Sequence, residues 1–243
     1  MPRFFISASN IFGGIAYLSG QDANHMKVLR IKSGETFTVC DGAGTDYVCR
    51  LKEDAGSDGL EAEILETRPS QSESPVSCRV FAAFSKGDKI ETVVQKCVEL
   101  GAGEIVIFPS SRCVSRPEGA AVLKKTARWQ KIAEEAAKQS ERGIIPRVSA
   151  APSYAAAVAD AAAADLPLFC YECEKQQSLK SLLFNSAEPR TVSIMTGPEG
   201  GFTPEEAQLA ADAGMISVSL GPRILRCETA PIFALSAIMM FAM

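Results

Sequence analysis

The chain has 243 residues, of which 47% are hydrophobic and 22% are charged, as in an ordinary globular protein. This length suits one large domain or two small ones. The net charge of −4 argues against a chain that binds polyanions over its whole surface. His25 is the sole histidine. Two-histidine zinc sites and HExxH proteases are therefore excluded, and only His25 is left as the base of a Ser-His-Asp or Cys-His arrangement.

Neither end of the chain predicts export or membrane insertion. The N-terminal residues lack the basic and apolar regions of a signal peptide. The apolar stretch 230–243 is shorter than the ~20 residues that span a bilayer, and Pro231 and Ser236 interrupt it. We expect a cytoplasmic protein without membrane contact or a metal site, and with reduced cysteines. Cys170 and Cys173 are the one close pair, for which a redox role stays open beside a structural one.

Charge is distributed unevenly along the chain. Residues 1–70 carry a net charge of −3, residues 71–150 of +4 and residues 151–243 of −5. A basic middle third in an acidic chain indicates a local anionic partner, or else lysines and arginines that only solvate helix faces.

The first segment, 1–70, is predicted to be a small β-barrel domain. Strand-forming runs at 36–40, 46–51 and 60–65 are separated by turns that contain glycine, and such spacing is typical of a barrel. Residues 68–75 contain two prolines and three serines, which predicts a linker before the next domain.

From residue 76 to residue 243 the pattern becomes an alternation of strands and helices, which predicts a second domain with a parallel sheet covered on both faces. The predicted strands are 76–84, 104–108, 166–171, 191–196 and 216–220. The predicted helices are 88–100, 123–141, 155–164, 179–184, 204–213 and one that starts near 230.

Ligands of open α/β sheets bind at the carboxyl ends of the strands, so the loops after the last three strands form the candidate site. The loop 196–202 has three glycines and precedes a helix, at whose start Thr203 and Glu206 form a predicted capping box. The loop lacks a phosphate-binding lysine and carries Glu199, which disfavours a dinucleotide and suits a ribose hydroxyl or a cationic ligand. A plain strand-to-helix turn is the alternative.

The loop 219–230 places Ile224 and Leu225 between two arginines, and such an apolar pair predicts a packed loop. For Arg226 and Glu228 two interpretations stay open: an ion pair, or functional groups.

Two motifs, GPEGGF–TPEE at 197–206 and SLGPRILRCETA at 219–230, together resemble the 16S ribosomal RNA uridine N3-methyltransferase family. That family belongs to the SPOUT, or α/β-knot, enzymes that use S-adenosylmethionine. Further matches are Lys89-x-Glu91, Gln95-Lys96-x-x-Glu99-Leu100-Gly101, Arg128-Trp129, Glu135-Ala136, Gln139-Ser140-x-Arg142, His25-x-x-x-Leu29-Arg30 and Asp41-Gly42. Cys227 departs from the threonine that is more usual there.

The resemblance implies a PUA-like RNA-binding barrel at 1–70, followed by a knotted methyltransferase domain at 76–243 that acts as a homodimer. It implies methylation of N3 of a uridine in the decoding region of 16S ribosomal RNA, with the small ribosomal subunit as partner. It also implies that S-adenosylmethionine is the cofactor and that the residues around it are Tyr171, Glu172, Thr196, Gly197, Glu199, Gly200, Gly201, Leu220, Gly221, Ile224, Leu225 and Arg226.

N3 of uridine is nucleophilic only after it loses its proton, so a base or a positive charge must assist. We expect Arg226 to stabilise the developing uracil anion and Glu228 to orient it or to accept the proton. The predicted RNA contacts are Arg3, His25 and Arg30 in the first domain and Arg112, Arg116, Lys124, Lys125 and Arg128 in the basic third.

Two other functions are alternatives. One is a non-catalytic RNA-binding or ribosome assembly protein with a degenerate methyltransferase domain, against which the intact glycine loop argues. The other is a nucleotide-dependent oxidoreductase, which lacks its dinucleotide fingerprint here.

Overall fold

The computed structural model describes residues 3–52, 59–185 and 189–242 and divides the chain into two compact units. The first unit consists of Met1–Glu73 and Ala137–Ile145, and the second of Ser74–Ala136 and Pro146–Met243. The ranges 1–70 and 76–243 stay predictions of the domain limits. The return of 137–145 to the first unit has no counterpart in the sequence pattern.

One mixed sheet forms the first unit. Its strands are β1 (Arg3–Phe5), β2 (Ile11–Phe12), β3 (Ile15–Leu18), β4 (Thr36–Cys40), β5 (Thr45–Leu51) and β6 (Leu60–Pro69). They lie in the order β1-β4-β5-β6-β3-β2, with β1 parallel to β4 and the other pairs antiparallel. Phe4 of β1 and Leu18 of β3 share one buried core with Phe37, so the sheet curls around that core as a barrel-like domain requires.

The prediction that this segment is all β is wrong at Gly20–Val28, which forms helix α1. Ala23 and Met26 are buried there, and the rest of its sequence has no apolar periodicity that would mark a helix. The predicted linker is also shorter than expected, because β6 continues through Pro69.

The return segment 137–145 is held in the first unit by hydrogen bonds to the Glu73 carboxylate. Gly143 N donates to Glu73 at 2.8 Å, Ile144 N at 3.0 Å and Arg142 Nη2 at 2.6 Å. Burial raises the pKa of Glu73, but Arg142 and the two backbone donors together hold it below its ordinary value. Ala43 and Ile144 add an antiparallel bridge.

The second unit confirms the predicted parallel sheet. Its strands are β7 (Ser77–Ala83), β8 (Glu104–Phe108), β9 (Arg147–Ala150), β10 (Leu166–Cys170), β11 (Thr191–Thr196) and β12 (Ile216–Val218). Its helices are α2 (Lys89–Glu99), α3 (Ala120–Gln139, whose last residues belong to the first unit), α4 (Tyr154–Ala161), α5 (Leu179–Asn185), α6 (Pro204–Asp212) and α7 (Thr229–Ala242). The strand order is β12-β10-β11-β7-β8-β9, and all these pairs are parallel.

Both faces of this sheet are buried, as its continuous apolar strands predict. Phe81, Phe108 and Phe169 pack with α4 and α6 on one face. Their neighbours along the strands, such as Val80 and Leu168, point to the other face and are equally buried. The edge strand β9 was not predicted, because its four residues are too short a run to stand out in the sequence.

The knot implied by the resemblance stays a prediction, because strand order does not define how the chain is threaded. Within the described ranges, no helix is long and apolar enough to cross a membrane.

Candidate active site

A cavity of about 470 Å³ lies at the carboxyl ends of β10, β11 and β12. This volume falls in the range of ~300–1,000 Å³ that is usual for small-molecule sites. The structure brings together in its lining all the residues predicted to surround the cofactor: Tyr171, Glu172, Thr196, Gly197, Glu199, Gly200, Gly201, Leu220, Gly221, Ile224, Leu225 and Arg226. Carboxyl ends of parallel strands meet at one edge, which is why three loops distant in sequence share this cavity.

The glycine loop after β11 is shaped by close contacts. Gly201 has a φ of +67°, and a Cβ atom there would overlap the Glu172 carboxylate. A Cβ on Gly197 would lie 3.2 Å from the Phe202 ring. Glycine is therefore required at position 201, and a side chain at position 197 would press on the Phe202 ring.

Helix α6 begins directly after this loop and confirms the predicted capping box. Glu206 N donates to the Thr203 hydroxyl at 3.2 Å, and Thr203 N donates to the Glu206 carboxylate at 3.0 Å. Ser111 N donates to the other oxygen of Glu206 at 2.7 Å. The cap thus fixes the end of the glycine loop against the segment after β8.

Arg112, a predicted RNA contact, lies on the glycine loop. Its Nη1 donates to the carbonyl oxygens of Gly200, at 2.9 Å, and Phe202, at 3.2 Å. Arg112 is nevertheless an exposed residue. The structure therefore gives Arg112 a bracing contact beside the cavity, and its RNA role stays a prediction.

Lys89, at the start of α2, lines the cavity but is absent from the residues predicted for the site, as are Lys175, Arg223 and Cys227. Its Nζ donates to Glu199 Oε1 at 3.0 Å, lies 3.8 Å from Cys227 Sγ, and is 3.9 Å from Glu228 Oε2. Lys86 N donates to the same oxygen of Glu199 at 3.1 Å. One ammonium thus joins three elements at the cavity wall, and the Lys89-x-Glu91 match was the only signal in the sequence that pointed to it.

Charge pairing shifts the pKa values of this cluster in opposite directions. The hydrogen bond to Glu199 raises the pKa of Lys89. Burial raises the pKa of Glu199, but backbone donors and Lys89 outweigh burial and lower it overall. The pKa of Glu228 is also lowered, since its backbone and Cys227 hydrogen bonds and the charges of Lys89 and Arg226 outweigh burial. All three groups are charged at neutral pH.

The predicted catalytic pair is separated by the cavity rim. Arg226 lines the cavity and is exposed, whereas the Glu228 side chain is 20% exposed and lies outside the lining. In the described parts of the chain, Glu228 pairs with Lys89 rather than with Arg226. The open alternative of an Arg226–Glu228 ion pair is therefore not the arrangement in this structure.

The prediction that the loop 219–230 is packed is wrong for Ile224, whose side chain is 80% exposed. Leu225 is half-buried. Gly221, at φ +114°, and Pro222 turn the chain just before them. Ile224 is therefore a largely exposed member of the cavity lining.

The predicted RNA contacts of the first unit have different environments. Arg3 pairs with Asp46 at 2.6 Å and its side chain is only 13% exposed. Arg30 is exposed, with a φ of +56°. His25 lies in α1, and its side chain is outside the described residues.

In the second unit, Lys124 and Lys125 are exposed on α3. Arg128, on the same helix, pairs with Glu91 at 2.8 Å while its side chain stays 66% exposed. Arg116 donates to the Ser111 carbonyl oxygen. These residues keep solvent-facing charge that suits phosphate contacts.

The eight cysteines are free thiols. Burial raises the pKa of Cys170 to about 12, whereas Cys173 is exposed. The part of the chain that the structure describes contains no group of three or more His, Cys, Asp or Glu side chains that could hold a metal ion.

This fold and cavity define an enzyme class. The chain belongs to the RNA methyltransferase family, since the model "RNA methyltransferase domain" matches residues 72–239 and the model "RNA methyltransferase PUA domain" matches residues 18–65. Its similar relatives within the family carry the name ribosomal RNA small subunit methyltransferase E. The Synechocystis protein of that name is 37% identical over 97% of this chain and 76% of its own length. The Bacillus subtilis protein is 32% identical over 91% and 88%.

Solved structures support the same assignment. The ribosomal RNA small subunit methyltransferase E of Neisseria gonorrhoeae, bound to S-adenosylmethionine, is 33% identical with a TM-score of 0.80, covering 99% of this chain and 97% of that one. A Legionella pneumophila structure with bound S-adenosylmethionine is 29% identical with a TM-score of 0.81, covering 97% and 96%. The resemblance noted from the two C-terminal motifs is thereby confirmed.

Proposed function

We propose that this protein transfers a methyl group from S-adenosylmethionine to N3 of a uridine in 16S ribosomal RNA of the small subunit. The observation that carries the proposal is the cavity at the carboxyl ends of β10, β11 and β12, built from the glycine loop and the 219–230 loop. Relatives named for small-subunit RNA methylation support the substrate, and a ribosomal substrate supports a cytoplasmic location.

The lining fits S-adenosylmethionine. Glu172 and Glu199 offer carboxylate oxygens to ribose hydroxyls or to a cationic ligand, while Leu220 and Leu225 offer apolar surface to a purine ring. The cofactor supplies a methyl group already activated on a sulfonium sulfur. The protein's remaining task is to place N3 in line with that group and to manage the N3 proton.

Arg226 and Glu228 are assigned the chemistry at N3. Arg226 lies at the rim of the cavity, where its guanidinium stabilises negative charge that develops on the uracil ring. Glu228 orients the cationic groups of the site or accepts the N3 proton. We expect Arg226→Ala to reduce single-turnover methylation at saturating S-adenosylmethionine by about 10²–10³-fold. A wild-type rate with undiminished cofactor binding would contradict this role.

The homodimer is supported by helix α7, which is apolar on both sides. Leu235 and Ile238 are buried against the sheet, whereas Phe233 is 43% exposed and Met240 is 76% exposed. An apolar helix face of this kind suits an interface with a second copy of the chain. A sedimentation mass of one chain would contradict this part of the proposal.

The test is methylation of small ribosomal subunits from a strain that lacks the enzyme, followed by mass mapping of the modified nucleotide. We expect one N3-methyluridine per subunit with the wild-type chain. Labelled S-adenosylmethionine that binds without RNA methylation would instead support the non-catalytic RNA-binding alternative. A thermal shift with NADH, but not with S-adenosylmethionine, would support the oxidoreductase.

A further inference from the structure

We propose that the Lys89 ammonium is a second catalytic cation, which contacts the uracil ring and stabilises its negative charge during methyl transfer. This inference rests on the proposed function and deepens it. It begins from the cations that line the cavity, which are Lys89, Lys175, Arg223 and Arg226. Lys175, Arg223 and Arg226 are exposed, and the Lys89 side chain is 32% exposed. A charge with less solvent around it acts more strongly on a neighbouring charge.

The ammonium of Lys89 is held in place, but its hydrogen-bond donors are not all used. It donates to Glu199 at 3.0 Å and contacts the Cys227 sulfur at 3.8 Å, whereas the 3.9 Å to Glu228 is too long for a hydrogen bond. An ammonium has three N–H donors, so among the described contacts of Lys89 one donor is uncommitted. Lys89 also lines the cavity, which makes this donor available to a bound base.

Two carboxylates keep the ammonium charged and fixed before substrate arrives. The groups that face Lys89 are Glu199 from the β11–α6 loop and Cys227 and Glu228 from the loop before α7, with Arg226 beside Glu228. Lys86 N–H holds Glu199 from the other side, at 3.1 Å. A cation oriented in this way needs no reorganisation when charge develops on the substrate.

The reaction gives this cation a specific task. The uracil N3–H proton passes to Glu228 or to a solvent water, and the resulting negative charge spreads over N3 and the two ring oxygens. The N3–methyl bond then forms with that electron pair while the sulfonium–methyl bond breaks and its pair returns to sulfur. An N–H donor of Lys89 at a ring oxygen lowers the energy of the anionic state, so it raises the fraction of uridine that is ready to react.

The test combines substitutions of Lys89 with a change in the acidity of N3–H in the substrate. Lys89→Met and Lys89→Arg are compared with wild type in single-turnover methylation of 16S RNA that carries either uridine or 5-fluorouridine at the mapped position. Fluorine makes N3–H more acidic. We expect Lys89→Met to lose about 10²–10³-fold on uridine and Lys89→Arg to retain most of the rate. Lys89→Met should lose less of the methylation rate on 5-fluorouridine than on uridine. The two losses should differ by up to about tenfold for each unit by which fluorine lowers the pKa of N3–H.

The pH profile adds a second readout. Without the ammonium, the rise of the methylation rate with pH should move to higher pH, because the N3 proton is lost less readily. Calorimetric S-adenosylmethionine binding and thermal unfolding of both variants check that the cavity is intact.

Each outcome is decisive for Lys89. An equal loss on uridine and 5-fluorouridine, with an unmoved pH profile, would mean that Lys89 only supports the loops, and would overturn the proposal. An unchanged rate for Lys89→Met would also overturn it. Failure of the wild-type chain to methylate uridine N3 would instead overturn the proposed function. The wild-type reaction on uridine-containing RNA measures this separately.

Discussion

Gly201 shows how one residue controls the cavity. Its φ of +67° favours glycine, and a side chain there would also displace the Glu172 carboxylate from the cavity wall. Gly214, at φ +88°, has the same backbone requirement but open space around it. Substitutions at these two glycines therefore distinguish the effect of backbone strain from the effect of a changed cavity shape.

We predict that Gly201→Ala and Gly214→Ala each lower the free energy of unfolding by about 1–2 kcal/mol, because both place a Cβ atom in the left-handed region. Only Gly201→Ala should weaken S-adenosylmethionine binding, by about tenfold or more, since Glu172 must move. Urea unfolding and titration calorimetry measure the two effects. Unchanged affinity in Gly201→Ala, or an equal loss in both variants, would contradict a specific role of Gly201 in the cofactor site.

At this scale, the sequence predicts which residues meet but not how they pair. Glu199 and Arg226 lie together at the carboxyl edge of the sheet because each follows a parallel strand, and the order of the elements in the sequence predicts this. Lys89 reaches Glu199 across 110 residues of sequence, and no local pattern encodes that contact. The packing of α2 beside the sheet creates it.

Helix α6 shows how an element end supports the site. Glu206 is 5% exposed, and its carboxylate accepts from Thr203 N and Ser111 N. Burial raises the pKa of Glu206, but these donors and the neighbouring serines lower it below its ordinary value. A carboxyl with a lowered folded-state pKa contributes stability above its unfolded-state pKa, and that contribution is lost as the pH falls through the folded-state value.

We predict that Glu206→Gln lowers the free energy of unfolding at about pH 7 by ~1–3 kcal/mol, because charge-assisted hydrogen bonds are replaced by weaker ones. The difference from wild type should shrink as the pH falls below the ordinary glutamate range. Urea unfolding over a pH series measures it. Glu118→Gln, at an exposed position outside this cap, is the control and should change stability little at any pH. A constant difference at every pH would contradict the role of the ionised carboxylate.

Elements with a strong period or a clear cap are the ones that the sequence predicts well. The Thr203–Glu206 box and the buried stripe of α2, with Ile90, Val94 and Cys97, are examples. Helix α1 and strand β9 lack such patterns and depend on their neighbours in the fold, so they were missed. Their formation is a tertiary effect rather than a local one.

At the scale of the whole molecule, some features of the fold depend on contacts between residues far apart in the sequence. Residues 137–145 leave the second unit and join the first through Glu73, 70 residues away from Gly143. Prediction from composition and periodicity places a boundary where the pattern changes, and it cannot detect a return of the chain. The sheet order of the second unit, which interleaves early and late strands, is likewise set by long-range packing.

Charge is also organised at the scale of the molecule. The net charge of −4 includes a middle third with a net charge of +4. In the structure, some of the basic side chains of this third form hydrogen bonds within the protein, while others face solvent. Arg112 braces the glycine loop, whereas Lys124 and Lys125 lie exposed side by side on α3. The exposed pair is therefore the better test of RNA binding.

We predict that binding of the chain to small ribosomal subunits weakens steeply with salt, because each lysine or arginine on a phosphate releases a counterion. The double variant Lys124→Gln and Lys125→Gln should weaken binding and reduce the slope of log affinity against log salt by about 1–2. Filter binding between about 50 and 200 mM salt measures both quantities. Lys180→Gln, outside the basic third, is the matched control and should leave the slope unchanged. A flat dependence in the wild type, or equal slopes in all three chains, would remove the basic third from the RNA interface and leave binding to other surfaces.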